Sequence, residues 1–92
     1  MWTILEASEL KKELRQCPQR ILERYEQWKA LVMHGGPQSL RQLRGLRDES
    51  LRGNWAGFRS SRLDRAWRVL YQVQSVQVVV VVVRISAHHY RT

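Results

Sequence analysis

The chain has 92 residues, 43% of them apolar, with four tryptophans and one cysteine, a length that suits a single domain over 1–92 with a modest core. Cys17 cannot form an intrachain disulfide and no signal-peptide pattern is present, so the expected compartment is a reducing cytoplasm, with no apolar run near the ~18 residues of a membrane span. A net charge of +8 and a sequence pI near 10.8 point to a polyanionic partner.

The charge is unevenly spread. Residues 1–34 carry six Lys/Arg against five Asp/Glu, whereas residues 41–68 carry eight arginines, no lysine and only Asp48, Glu49 and Asp64, a net +5. Arginine's planar fork grips phosphate in a bidentate way and stacks on bases, so an all-arginine segment favours nucleic acid. The plainer alternative is solvated surface charge.

In chain order, Trp2 to Leu5 is short, apolar and partly β-branched, which predicts a first strand. Ser8 reads as a cap with Glu9 in a first helical turn, predicting a helix over 8–16 that pairs Leu10 with Leu14 and stops at Pro18. Proline is welcome at a helix start, and Ile21, Leu22, Tyr25, Trp28, Leu31 and Val32 fall on one stripe, predicting a second helix over 18–34. Gly35-Gly36-Pro37 ends it. Residues 37–56 read as a loop over the core with a short helical turn where Leu40, Leu43 and Leu46 recur.

From Gly57 the pattern becomes strand-like: Phe58–Leu63, Ala66–Val73 and Val76–Ile85. The connections at Leu63-Asp64-Arg65 and Gln74-Ser75 are short enough to require antiparallel neighbours. The last strand holds six consecutive valines, Val78 to Val83. Branching at Cβ favours extended chain, and the run reads as a central strand buried on both faces, since such a run on an edge would invite aggregation. The fold class expected is α+β: an antiparallel four-stranded sheet with two N-terminal helices packed on one face, in the order β-α-α-β-β-β.

Alternation along Trp67-Arg68-Val69-Leu70-Tyr71 puts Trp67, Val69 and Tyr71 on one face and Arg68 and Leu70 on the other. An arginine in an inner strand needs a charge partner or a route to an edge. Glu49, in the arginine-rich segment, could serve as a general base beside a phosphate, or could with Asp48 merely relieve local repulsion. After the valines come His88, His89 and Tyr90, residue types that exchange protons and orient phosphates, at a terminus where fraying or adventitious metal binding would be equally ordinary. Gly35-Gly36-Pro37-Gln38-Ser39 lacks a P-loop lysine, and no zinc-ligand spacing or acyl-transfer triad is present.

Taken together, residues 49–63 (ESLRGNWAGFRSSRL), Trp67-Arg68-Val69-Leu70-Tyr71 and the closing His89-Tyr90 resemble the YoeB branch of the RelE/ParE superfamily of toxin–antitoxin toxins. The match covers the second half of the chain; the first half agrees only in its strand-helix-helix layout. The resemblance implies a RelE-like fold and a cytoplasmic mRNA interferase, an endoribonuclease that cleaves ribosome-bound mRNA without a metal or other cofactor. It also implies a cognate antitoxin as partner, and leaves a homodimer open. Glu49 looks like the base for the ribose 2′-hydroxyl, Arg68 the cation over the phosphate, His89 (or His88) the acid for the leaving 5′-oxygen, and Tyr90 the residue that orients the phosphate. Arg44, Arg52, Arg59, Arg62 and Arg65 would hold the RNA backbone. Relatives of the ParE type, which target DNA gyrase, and a non-catalytic member that only binds RNA or antitoxin are the competing readings.

Overall fold

The computed structural model describes residues 1–77 and 79–87. The elements in order are β1 (Thr3–Glu6), α1 (Leu10–Arg15), α2 (Gln19–Gly35), β2 (Glu49–Ser50), β3 (Arg59–Arg62), β4 (Arg68–Gln74) and β5 (Val79–Ser86). Single turns of 3₁₀ helix occupy Arg44–Leu46, Gly53–Trp55 and Ser75–Gln77, and a longer one Pro37–Gln42. No helix among the described residues is long and apolar enough to cross a membrane.

Both helices form where the apolar spacing puts them. In α2, Ile21, Tyr25, Trp28 and Val32 are buried along one stripe. Pro18 sits at its N-cap, and the Pro18 carbonyl accepts the N–H groups of Ile21 and Leu22. Gly36 ends it with φ 78°, and a Cβ there would lie 2.8 Å from the Trp2 indole nitrogen, so only glycine fits. The expected Ser8 cap is not used: α1 begins at Leu10 with Glu9 at the cap position and no side-chain cap hydrogen bond.

The sheet corrects the expected one. Among the described residues it has five strands, not four, in the order β1-β5-β4-β3-β2. Strands β2 to β5 are antiparallel, as their short connections require, but β1 pairs in parallel with β5, from Thr3↔Val79 to Glu6↔Val82. Two helices separate β1 from the other strands, so no turn dictates its direction. It takes the remaining side of β5 and makes the valine strand internal. The fifth strand, β2, is two residues long and pairs Glu49↔Ser60 and Ser50↔Arg59.

Both helices lie on one face of this sheet, so the valine run is not buried on both faces as expected. Val80 and Val82 are fully buried beneath the helices, with Val69, Tyr71 and Ile85 beside them, while Val79, Val81 and Val83 are only half-buried on the opposite face. Register passes from Leu70↔Arg84 to Tyr71↔Val82, leaving Val83 as an extra residue that bends β5. Trp28 centres the core, stacked on Tyr25 at 6.0 Å and edge-on to Tyr71 at 5.2 Å.

Three polar ties fix the helices to the strands. Tyr25 donates to Glu6 Oε2 at 2.6 Å, and burial followed by that carboxylate pushes its phenol well above the ordinary value. Glu13 on α1 accepts from Arg84 Nε and from the Ile85 backbone N–H, both at 2.9 Å, beyond the point where β1 ends. In the β3–β4 turn, Asp64 Oδ1 accepts the N–H groups of Ala66 and Trp67 at 2.8 Å, and Arg20 reaches its other oxygen at 3.1 Å. Burial would raise the Asp64 carboxyl, but those donors and the Arg20 charge outweigh it and hold it below the usual carboxylate range.

Val82→Ala should cost about 2 kcal/mol in urea denaturation, and Val81→Ala clearly less, because only the first empties packed space under the helices. A group whose carboxyl is lowered on folding stabilises above its unfolded value, ~3.9 for Asp, and loses that contribution as pH falls through the folded value. The stability difference between wild type and Asp64→Asn should therefore be present at pH 6 and shrink below about pH 4.

Candidate active site

The face of β2, β3 and β4 turned away from the helices collects polar residues, most of them buried: Ser60, Arg68 and Ser86 are at most 8% exposed. Directly opposed residues share a face, so Glu49, Ser60 and Leu70 form one row across it and Arg62, Arg68 and Ser86 the next. Glu49 Oε1 lies 3.9 Å from Arg68 Nη1; the arginine side chain is 9% exposed and the carboxylate 43%. At that separation the two attract without a hydrogen bond. Arg68 Nη1, Arg62 Nε and Ser60 Oγ are buried and have no hydrogen-bond partner among the described residues. Unmatched buried donors cost of order 1–3 kcal/mol each, and three of them lie near one partly exposed carboxylate.

What holds Glu49 there is its neighbour. Along a strand successive side chains point to opposite faces, so Asp48 turns inward while Glu49 turns out. The Asp48 side chain is fully buried; it accepts from Arg59 Nε at 2.8 Å, from Ser61 Oγ at 2.6 Å and from the Tyr71 hydroxyl, and the same arginine's Nη2 lies 2.7 Å away in an ion pair. Burial and then the Asp48 carboxylate raise the Tyr71 phenol above its ordinary value. Burial would lower the Arg59 guanidinium, but its hydrogen bond and attraction to Asp48 hold it above its ordinary value. A two-residue strand has little pairing of its own, so this cluster is what fixes the register of β2.

The structure brings some of the expected residues together and separates others. Glu49, Arg62 and Arg68 share the face turned away from the helices. Arg59, expected at an RNA backbone, is turned to the helix side with its charge matched by Asp48, because its place in β3 puts it opposite Tyr71. Arg52 is exposed just after β2, Arg65 is exposed in the β3–β4 turn, and Arg44 is exposed on the Arg44–Leu46 turn. His89, Tyr90 and His88 lie outside the described residues. Asp48 as an anchor and Ser60 as a site donor were missed from the sequence. Strand alternation through Asp48-Glu49 and Arg59-Ser60-Ser61-Arg62 is the signal that would have found both.

No protein-family model matches the chain, and no curated protein sequence does. The fold, by contrast, is that of the toxins of toxin–antitoxin systems grouped as the RelE/ParE superfamily. The chain is similar to YafQ from Escherichia coli BL21(DE3), with TM-score 0.78 and 13% identity over 96% of this chain and 94% of that one. It is similar to a chain of the YoeB–YefM complex from Staphylococcus aureus, with TM-score 0.70 and 15% identity over 97% and 99%. It is also similar to a chain of the RelBE2 toxin–antitoxin complex from Mycobacterium tuberculosis, with TM-score 0.63 and 25% identity over 95% and 98%.

Asp48→Ala should destabilise the fold by about 3 kcal/mol in chemical denaturation, since it strands the Arg59 charge and two hydroxyls in the interior. Glu49→Ala, half-exposed and held only by a long ion pair, should cost less than about 1 kcal/mol in the same measurement.

Proposed function

We propose that this protein is the toxin of a type II toxin–antitoxin pair and an endoribonuclease that cleaves mRNA, probed most directly on the ribosome. The observation that carries the reading is the placement of a partly exposed Glu49 carboxylate 3.9 Å from the buried Arg68 guanidinium, on the sheet face turned away from the helices. In-line cleavage of RNA needs a base for the 2′-hydroxyl, a cation over the phosphate and an acid for the leaving oxygen. Glu49 and Arg68 supply the first two. The sequence supplies His89 and Tyr90, with His88 before them, directly after β5 has set Ser86 opposite Arg68.

In this mechanism Glu49 accepts the 2′-hydroxyl proton as that oxygen attacks the adjacent phosphorus. Arg68 binds the non-bridging oxygens as negative charge builds on them, and Arg62 and Ser60 beside it hold the phosphate by their unmatched donors. The bond to the 5′-oxygen breaks and His89 protonates it, leaving a cyclic 2′,3′-phosphate and a free 5′-hydroxyl, with Tyr90 orienting the phosphate. Arg52, Arg65 and Arg44 contribute charge for the flanking backbone, in keeping with a net charge of +8. The staphylococcal and mycobacterial neighbours were solved as complexes with antitoxins, which supports a cognate antitoxin as the protein partner here.

Incubated with a translated message, the wild type should cut it. Glu49→Gln and His89→Ala should each slow cleavage by about 10²–10⁴-fold, and Arg68→Ala by about 10²–10³-fold, with RNA affinity nearly kept in the first two. Cleavage at the wild-type rate by either of the first two variants would remove that residue from the mechanism. DNA supercoiling inhibition by a wild type that cuts no RNA would replace the reading with a gyrase-directed one.

A further inference from the structure

Three of the four tryptophans serve the core: Trp28 lies at its centre, and Trp2 and Trp67 pack against it. Trp55 is not part of that cluster. It is carried on the Gly53–Trp55 turn between β2 and β3, where it stays partly exposed. Gly53 and Gly57 take φ 66° and 93° with no atom within 4 Å of a Cβ built on either, so the backbone reversal itself demands glycine at both ends of the turn. The reversal folds Trp55 onto Phe58, with ring centroids 5.3 Å apart and planes at 87°. In such a perpendicular pair one ring offers only its edge, and both its faces stay outside the pair.

Phe58 fixes where this pair stands. The Leu51 N–H donates to the Phe58 carbonyl at 2.9 Å, which extends the β2–β3 ladder one step beyond Ser50↔Arg59. Alternation then puts Leu51 and Phe58 on the same face as Glu49 and Ser60, one row away at about 7 Å along the strands. The Arg62–Arg68 row lies on the other side of the Glu49 row. We propose that Trp55, braced by Phe58, is the platform on which the nucleotide bearing the attacked 2′-hydroxyl stacks its base, so that it positions that ribose against Glu49. The inference rests on the reading of Glu49 as base and Arg68 as the cation over the phosphate. With the phosphate at Arg68 and the ribose at Glu49, the Arg62–Arg68 row is taken, and the base hanging from that ribose meets the Leu51–Phe58 row. An aromatic face holds any base by its π-surface without reading its edge, so the platform orients the nucleotide rather than choosing its sequence. Arg52, exposed just before the turn, supplies a cation for the backbone next to the stacked base.

The test titrates the full chain with a five-residue oligonucleotide that carries one fluorescent 2-aminopurine at its centre, abasic at the other four positions and 2′-deoxy throughout, so that it cannot be cut. Binding should quench the 2-aminopurine, and the probe should bind at least fivefold more tightly than its all-abasic counterpart. Trp55→Leu should abolish both the quenching and that difference in affinity, Trp55→Phe should keep most of each, and Glu49→Gln should leave both unchanged. Absence of quenching overturns the proposal. So does an all-abasic oligomer that binds as tightly as the probe, and so does Trp55→Leu with the wild-type response, since either leaves only attraction to the backbone. Because no cleavage is measured, a chain that stacks the probe on Trp55 but cuts no message refutes the nuclease reading and leaves the stacking site standing. A chain that cuts its message but shows no response to Trp55→Leu removes the platform and leaves the nuclease.

Discussion

The sheet face turned away from the helices depends on a single buried carboxylate. The Asp48 side chain is wholly removed from water, a state that is tolerable because the Arg59 ion pair and hydrogen bonds from Arg59, Ser61 and Tyr71 converge on it. Those donors come from β3 and β4, so satisfying Asp48 fastens a two-residue strand to the side of the sheet. The polypeptide then has no choice about its next side chain. With Asp48 committed inward, Glu49 must emerge on the other face, opposite Ser60 and within reach of Arg68. The pleat alone thus commits one acid to the interior and leaves its neighbour partly exposed.

A similar division runs through β5. Its inward valines lock the strand under the helices, and its outward side is left half-covered because both helices are used on one face. Arg68 exploits that asymmetry. It lies on an internal strand, rigidly paired on both sides, on the face away from the aromatic core around Trp28. A cation held this firmly would lose little freedom on binding an anion.

Much of this was legible in the sequence where local rules are strong. The α2 stripe, its stop at Gly35-Gly36-Pro37, the three later strands and their antiparallel pairing follow from periodicity and short connections, and the opposite facing of Arg68 and Val69 follows from alternation. What local rules could not reach was set by contacts distant in sequence. The direction of β1 depends on which side of β5 was vacant after two helices had intervened. Strand β2 is too short to leave a pattern and exists because of Asp48. Arg59 looked like its neighbouring arginines by composition, and only the register opposite Tyr71 shows that its charge is consumed internally.

Glu13 performs a task usually left to backbone. Beyond Glu6, β1 no longer covers β5, and the Ile85 N–H would face outward as an open rung; a carboxylate from α1 occupies it, while the same side chain ties down Arg84. A helix side chain thereby impersonates the missing strand. A valine-rich ribbon with an unfinished edge is a template for the next chain that drifts past, and a negative charge seated on that edge is hard for another backbone to displace. β1 covers Val79 to Val82, and this one glutamate caps the rung at Ile85 that lies beyond it.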